Sequence, residues 1–357
     1  MNKEKTYKIL SAILIFQWAF YQFVAQYPSF IESYYSKGIY PIISNILHFT
    51  LGWIPFSFGD LLYFLLVVLL LLSLFKFIKN RKLDVIKTLY KSLAFLSVVY
   101  FIFNVGWGLN YYRNPINERL NFENTEYSKT ELINFTKQLI TKLNSVQKSI
   151  TLNDSIVVEN PMNRTIIQEN AFKSYEVLGK INSDFTIKNK SVKKSLLSTP
   201  LTYAGFAGYL NPFTNEAQVN RLIPKNNYAA TACHEIAHQI GIASENEANF
   251  VGFLAATHSD SKYFNYSGYL MALRYCLSDL YRNDKVAFEE LKLTINKGIL
   301  KDMQNSQNFW MSYQNRSEKY FKWFYDFFLK ANKQKDGIRS YSKMVSLLIN
   351  YYKTSAL

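Results

Sequence analysis

The sequence has few of the residues that interrupt helices or cross-link a fold. Among 357 residues there are 13 glycines, 8 prolines and only two cysteines, Cys233 and Cys276. Scarce glycine and proline favour a mainly helical fold, because both residues destabilise the interior of a helix. The two cysteines form neither a disulfide framework nor a metal-ligand pair by their spacing, and whether they pair with each other stays open.

Acidic residues are also in the minority, with 26 against 41 lysines and arginines, which gives a net charge of +15. The basic residues are spread along the chain and accompany no DNA- or RNA-binding motif, so we expect no nucleic-acid partner. Aromatic residues, by contrast, are abundant, with 27 tyrosines and 28 phenylalanines. This composition favours large aromatic contacts and a membrane interface.

Three apolar runs lie before residue 112, at about 9–26, 59–78 and 92–111. Each is long enough to cross ~30 Å of hydrocarbon as a helix. The first lacks a small-residue cleavage site, so we interpret it as an uncleaved span rather than a signal peptide. The third ends in aromatic residues typical of a membrane surface: Trp107, Tyr111 and Tyr112. The sequence thus predicts a membrane anchor over residues 1–111 and a second domain over 112–357.

The positive charges around these runs predict their orientation. Basic residues precede the first run and separate the second from the third: Lys3, Lys5 and Lys8, then Lys76, Lys79, Arg81, Lys82, Lys87 and Lys91. The stretch from Tyr27 to Phe58 holds only Lys37. Positive loops stay in the cytoplasm, so we expect the N-terminus inside and the C-terminal domain outside the cytoplasmic membrane. The aromatic-rich stretch 27–58 is expected to lie along the outer interface in contact with the lipid bilayer.

Residues 232–241 read ACHEIAHQIG and carry the clearest chemical signal. His234 and His238 stand at i and i+4, so both imidazoles face one side of a helix and can bind one zinc ion. Glu235 follows the first histidine, where it can hold a zinc-bound water and accept its proton. Asn226 and Asn227 offer an N-cap for this helix, and Gly241 suits the residue just after its end. We expect one Zn²⁺ per chain.

Zinc needs a third protein ligand, and the candidates are Glu245, Glu247 and His258. Glu245 is favoured, because Asn249 follows it by one helical turn and could steady a ligating histidine. Glu247 is the alternative, although Ser244 and Glu247 together read as a capping box that explains the second glutamate. His258 reads as a residue at the end of a helix.

This arrangement resembles the gluzincin metallopeptidases, in which a glutamate on a second helix completes the HExxH site. The E-x-x-A-N of Glu245 to Asn249 is similar to a pattern in membrane-bound metallopeptidases. The spacing differs, because only six residues separate His238 from Glu245, many fewer than in those families. HEIAHQIG also agrees with the first part of the metzincin signature HExxHxxGxxH. Ser244, however, stands where metzincins have their third histidine, so that family is disfavoured. The chain is most similar to an uncharacterised family of membrane-anchored bacterial HExxH proteins, through GFAGYLNPFTNEAQVN, CHEIAHQIG, ENEANF and GIRSYSKMVSLL.

The resemblance implies a zincin-like, mostly helical α+β domain with a small β-hairpin, outside the inner membrane. The residues of the stretch TYAGFAGYLNPFTNEAQVNRL themselves predict a hairpin or a pair of short strands leading toward the HEIAH helix. Its first part would be an edge strand that binds substrate, formed by Tyr203, Gly205, Gly208 and Tyr209. A residue that stabilises the reacting oxygen is also expected, and the candidates are Tyr203, Tyr209, Arg339 and Tyr341.

Two functions are compatible with these features. The first is a membrane-anchored zinc metallopeptidase that hydrolyses a peptide or protein substrate near the membrane. The second is a non-catalytic, zinc-stabilised membrane scaffold or sensor. Glu235 favours the enzyme, because a structural metal site needs no base beside its first ligand.

Overall fold

The computed structural model describes residues 3–79, 84–332, 341–355 and 357. The α-helices are α1 Lys3–Val24, α2 Pro28–Phe30, α3 Tyr40–Leu51, α4 Phe58–Lys79, α5 Val85–Gly106, α6 Ile116–Arg119, α7 Lys129–Thr151, α8 Arg164–Ile181, α9 Ser198–Ala204, α10 Lys225–Gln239, α11 Glu245–Thr257, α12 Lys262–Asn283, α13 Lys285–Lys292, α14 Lys297–Ser312, α15 Glu318–Ala331 and α16 Tyr341–Tyr351. Ile31–Ile39 forms a π-helix, and Gly108–Tyr112 and Ser183–Phe185 form short 3₁₀ helices. The three strands are β1 Val192–Lys194, β2 Gly208–Leu210 and β3 Ala217–Val219.

Three helices are long and apolar enough to cross a membrane: Lys3–Val24, Phe58–Lys76 and Val85–Gly106. Most of their side chains are exposed, as expected for surfaces that face lipid. α1 packs along α5. The three apolar runs of the sequence are therefore confirmed as helices, with the third beginning and ending several residues earlier than predicted. Arg81 and Lys82 of the predicted cytoplasmic loop lie outside the described residues.

The aromatic residues after α5 were predicted to face a membrane surface, and this was wrong for Trp107 and Tyr112. Both are buried, and they share an apolar cluster with Tyr35 and Tyr40 from the segment after α1. The physical reason is that α5 ends at Gly106, so these rings already belong to the domain that packs on its end.

The segment between α1 and α4 buries its polar side and exposes its apolar side. Tyr40, Ser44 and His48 of α3 are buried and form hydrogen bonds to the domain beyond α5. The opposite side of the segment exposes Ile42, Ile46, Phe49 and Trp53. That the segment lies along a bilayer stays a prediction, and the exposed apolar side agrees with it.

Helix α10, which carries HEIAH, lies at the centre of the larger domain. It packs against α8, α11 and α12 on its sides and against the small sheet above it. Its apolar residues, including Ala229, Cys233, Ile236 and Ala237, belong to one continuous buried core. Because this helix is enclosed by its neighbours, the position of its two histidines is set by the packing of the whole domain.

The sheet has the order β1-β3-β2, with β3 parallel to β1 and antiparallel to β2. Tyr209 pairs with Gln218, so the predicted hairpin is confirmed for the stretch from Gly208 to Val219. The predicted edge strand was wrong in its first half. Tyr203 lies in α9, and Gly205 is the left-handed residue that ends that helix, with φ of 81°. The threonine and alanine next to Tyr203 continue the helix that Ser198 begins.

Candidate metal centre

The two histidines of HEIAH converge as their spacing predicts. Nε2 of His234 lies 3.1 Å from Nε2 of His238, one helical turn away on the same face of α10. The predicted N-cap was wrong, because the helix already begins at Lys225 after Pro224. Proline fits the start of a helix, where its missing N–H removes no helical hydrogen bond. This difference leaves the histidine pair unaffected.

The end of α10 orients the second histidine. Gly241 has φ of 82°, and its N–H and that of Ile242 donate to the carbonyls of His238 and Ala237. This is a Schellman motif, and it confirms the predicted role of Gly241. The same turn brings the carbonyl of Ile242 to 2.7 Å from Nδ1 of His238. A carbonyl only accepts, so Nδ1 carries the proton and Nε2 presents its lone pair to the site.

Glu245 is the carboxylate nearest to the histidine pair. Its oxygens lie 3.3 Å from Nε2 of His234 and 3.6 Å from Nε2 of His238. Helix α11 reaches this position because Gly252 touches α10 backbone to backbone. A Cβ on Gly252 would lie 2.9 Å from the backbone nitrogen of His234, so any larger residue would push the two helices apart. Because of the close contact at Gly252 and the turn at Gly241, Glu245 reaches the histidine pair although only six residues separate it from His238.

The distances among these three side chains suit a zinc ion. Ligands at about 2.0–2.1 Å in a tetrahedron are about 3.3 Å from one another. The separations of 3.1, 3.3 and 3.6 Å fall around that value. Two neutral imidazoles and a carboxylate are also a donor set that zinc prefers. The residues therefore fit the predicted metal.

Electrostatics within the group is consistent with cation binding. Burial raises the pKa of Glu245, but the nearby imidazoles of His238 and His234 outweigh it and lower that pKa to about 2. Burial lowers the pKa of His238 to about 4, against an opposing effect of Glu245. Burial also lowers the pKa of His234, but Glu245 and Glu235 reverse this and raise it overall. Near neutral pH the site therefore holds an ionised carboxylate beside a neutral His238.

Asn249 lies where the sequence placed it, next to the first histidine. Its side chain is among the groups that raise the pKa of His234. Nδ1 of His234 is buried, and among the described residues it makes no hydrogen bond within the usual distance and angle limits.

Glu235 is buried beside the candidate metal ligands, with 3% of its surface exposed. Its carboxylate lies within 4.8 Å of ligand atoms of both histidines, and Oε2 has no hydrogen-bond partner among the described residues. Burial raises the pKa of Glu235 to about 8. A Cβ on Gly208 would lie 2.5 Å from Oε1 of Glu235. Only glycine lets the edge strand β2 pass this close to the carboxylate.

Tyr325 completes the group, and sequence reasoning missed it. Its hydroxyl donates to Oε1 of Glu245 at 2.7 Å, from helix α15, and its ring packs against Phe206. Burial and the charge of Glu245 raise the pKa of Tyr325 well above its ordinary value, so it remains a donor. Among 27 tyrosines, nothing in the local sequence distinguishes this one.

Glu247, the alternative third ligand, points away from the histidines. Its carboxylate accepts from the backbone N–H of Ile116 at 3.0 Å, and it lies near Arg113 and Arg119. The predicted capping box is absent, because Ser244 begins α11 without a side-chain hydrogen bond to it. His258 ends α11 and bonds to Leu254 of the same helix, as its position in the sequence suggested.

Of the four candidates for the oxygen-stabilising residue, the two that the structure describes, Tyr203 and Tyr209, are not brought to the site. Tyr203 is exposed and its ring meets Tyr313. Tyr209 donates its hydroxyl to Asp60 at the start of α4. Arg339 and the side chain of Tyr341 lie outside the described residues. Among the hydrogen bonds of the described residues, Tyr325 is the tyrosine that bonds to the side chain of a candidate ligand.

The two cysteines are free and buried. They are not paired with each other, which answers the question that their spacing left open. Burial raises the pKa of both thiols, to about 12 for Cys276. Such thiols stay protonated and are poor nucleophiles, so both act as packing residues of the core.

A cleft of about 680 Å³ opens onto the site. His234, Glu235 and Glu245 form part of its floor, the end of β2 forms one wall, and Tyr325 lies on another. A cleft of this size can hold a short stretch of an extended chain or a similar small ligand.

The comparisons with known proteins agree with the expectation of an uncharacterised family. No match was found among curated proteins, and none among solved structures. Residues 35–349 match the family described as "Protein of unknown function (DUF3810)". That range includes α4, α5, the HEIAH helix, Glu245 and Tyr325. The chain therefore belongs to the DUF3810 family of proteins of unknown function.

Proposed function

We propose that this protein is a membrane-anchored zinc metallopeptidase that hydrolyses peptide bonds at the outer face of the cytoplasmic membrane. The observation that carries the proposal is the convergence of His234, His238 and Glu245 beside a second, buried carboxylate, that of Glu235. A purely structural zinc site is closed by protein ligands and needs no spare carboxylate. The open cleft above these residues therefore favours the enzyme over a scaffold or sensor.

Each residue has a distinct task in this proposal. His234, His238 and Glu245 would hold the zinc ion, which supplies Lewis acidity and makes a bound water acidic near neutral pH. Glu235 would accept a proton from the water that attacks the peptide carbonyl, and would then deliver this proton to the leaving amine.

The edge strand β2 would bind the substrate backbone. β2 is one of the two outer strands of the sheet, and Gly208 brings it next to Glu235. An extended peptide that adds to this edge would lie across the floor of the cleft with its backbone near Glu235. Of the four residues predicted for this task, Gly208 and Tyr209 remain in the proposal.

Hydrolysis and metal content test the proposal together. Purified protein is expected to contain one zinc ion per chain and to cleave members of a peptide library, with loss of cleavage when zinc is removed by a chelator. Cleavage that is unchanged after complete removal of zinc would contradict the proposal. Tightly bound zinc without cleavage of any peptide would support the scaffold or sensor.

Tyr325→Phe is expected to weaken zinc binding by about 10-fold, because outer groups that orient metal ligands contribute on this scale. The change removes the hydroxyl that holds Oε1 of Glu245 and leaves the aromatic ring in place. Titration with a competing chelator measures the effect. Tyr203→Phe is the matched control, because Tyr203 is exposed and lies outside the ligand group. Equal zinc affinity in both variants would exclude the orienting role.

The proposed topology has the N-terminus inside and the larger domain in the periplasm of a bacterium. The lysine distribution supports this orientation. The packing of the segment 27–57 against residues beyond α5 adds support, since both must then lie on one side of the membrane. A reporter that is active only in the cytoplasm, fused after Leu357, is expected to be silent. Strong reporter activity would show that the C-terminus lies in the cytoplasm and would contradict the proposed orientation.

A further inference from the structure

Helix α15 carries a broad aromatic face that the described part of the chain leaves uncovered. Its members share one side of the helix and are each about half to two-thirds exposed: Tyr320, Phe321, Trp323, Phe324 and Phe327. Soluble surfaces rarely expose a contiguous apolar patch of this kind. The patch therefore marks a contact with an apolar partner.

The opposite side of α15 belongs to the candidate metal centre. Tyr325 bonds to Glu245, and Glu318 and Lys322 line the same cleft. Leu329 is fully buried and fixes the helix against the domain. One helix thus forms a wall of the cleft with one face and presents five aromatic rings with the other.

The position of α15 relates this face to the membrane. Phe328 packs against Phe103, with the ring centroids 6.2 Å apart, and against Tyr111 at 6.3 Å. Phe103 lies in the last turn of α5, which ends at Gly106. The C-terminal part of α15 is therefore level with the end of an apolar helix that can cross the bilayer. Tryptophan, tyrosine and phenylalanine are typical of this level of a membrane.

We propose that the aromatic face of α15 is seated in the interface of the lipid bilayer that holds α1, α4 and α5. The apolar rings enter the acyl boundary while the inner face stays on the protein. The partner is lipid rather than a second protein, because Phe328, next to Phe327 of this face, packs against Phe103 in the last turn of the apolar helix α5. This inference depends on those helices crossing a bilayer, but not on zinc binding or hydrolysis. It places the mouth of the cleft at the membrane surface.

Spin labelling of the full chain tests the proposal. Phe324→Cys and Phe327→Cys would each carry a nitroxide in protein reconstituted into phosphatidylcholine and phosphatidylglycerol vesicles. The native Cys233 and Cys276 are fully buried and leave the introduced thiol as the site of labelling. Leu293→Cys is the matched control, because Leu293 is an exposed apolar residue beside α13, which packs on α7 and α12.

The label at both α15 positions is expected to collide more often with oxygen and less often with a water-soluble nickel chelate than the label at Leu293. Oxygen concentrates in lipid, whereas the charged chelate stays in water. The proposal would be overturned if the labels at 324 and 327 collided with the nickel chelate as often as the label at 293. Protection from both reagents would also overturn it, because it would mean that a protein surface covers the face.

Discussion

Glu235→Gln is expected to keep its zinc and to lower peptide hydrolysis roughly 10²–10⁴-fold, the usual contribution of a general base. The substitution leaves His234, His238 and Glu245 in place and keeps the size of the side chain. It removes the group that accepts the proton. Because Glu235 is buried and Oε2 has no partner, a neutral amide there should not destabilise the fold. Turnover and zinc content measured on one preparation separate the two effects.

The adjacent Cys233→Ala is the matched control for this experiment. Cys233 sits on the same helix but is fully buried in the core, and burial raises the pKa of its thiol. The variant should lose about 1 kcal/mol of stability through a small cavity and should retain its activity. Full hydrolysis by Glu235→Gln would rule out Glu235 as the base. Loss of hydrolysis in Cys233→Ala with zinc still bound would point to the thiol instead.

Glu245→Ala is expected to lose zinc almost completely, with activity lost in parallel. It deletes the carboxylate that α11 brings against the histidine pair, and this should exceed the ~10–100-fold cost of changing an outer group. The remaining histidine pair offers two nitrogen ligands, fewer than the three protein ligands of catalytic zinc sites. Metal analysis after dialysis against a weak chelator measures the loss.

Glu247→Ala is the matched control two residues along the same helix. Its carboxylate bonds to the backbone N–H of Ile116 and faces away from the histidines. The variant should keep zinc and lose about 1–3 kcal/mol of stability, because that N–H loses its partner. Loss of zinc in Glu247→Ala together with retention in Glu245→Ala would reverse the assignment of the third ligand.

Local patterns in the sequence were sufficient for the elements that depend on neighbouring residues. The HEIAH spacing predicted two imidazoles on one face, and Gly241 predicted where the helix ends. Long apolar runs predicted three long helices. The small residues, the Pro-Phe turn and the polar run after it predicted the hairpin of β2 and β3. Backbone geometry relates residues three or four apart in a helix in the same way in every protein, so such predictions transfer.

The sequence favoured Glu245 over Glu247 as the third ligand, but only the packing of the helices showed which of the two faces the histidines. Glu245 and Glu247 lie in one helical turn, and either could have faced the histidines. The close contact at Gly252 and the tight turn at Gly241 set the rotation of α11, so that Glu245 faces inward and Glu247 meets Ile116. The sequence pattern of Ser244 and Glu247 was that of a cap, yet a backbone N–H from a distant segment took the carboxylate instead.

The sequence alone thus determined the helical character, the three apolar spans and the histidine pair of this protein, because these depend on residues within a few turns of each other. Only the tertiary structure decided the surroundings of the site. Tyr325 reaches Glu245 from 80 residues further along the chain. Trp107, predicted for a membrane surface, instead donates to the carbonyl of His238. Contacts between distant segments follow from how helices pack, and no local periodicity encodes them.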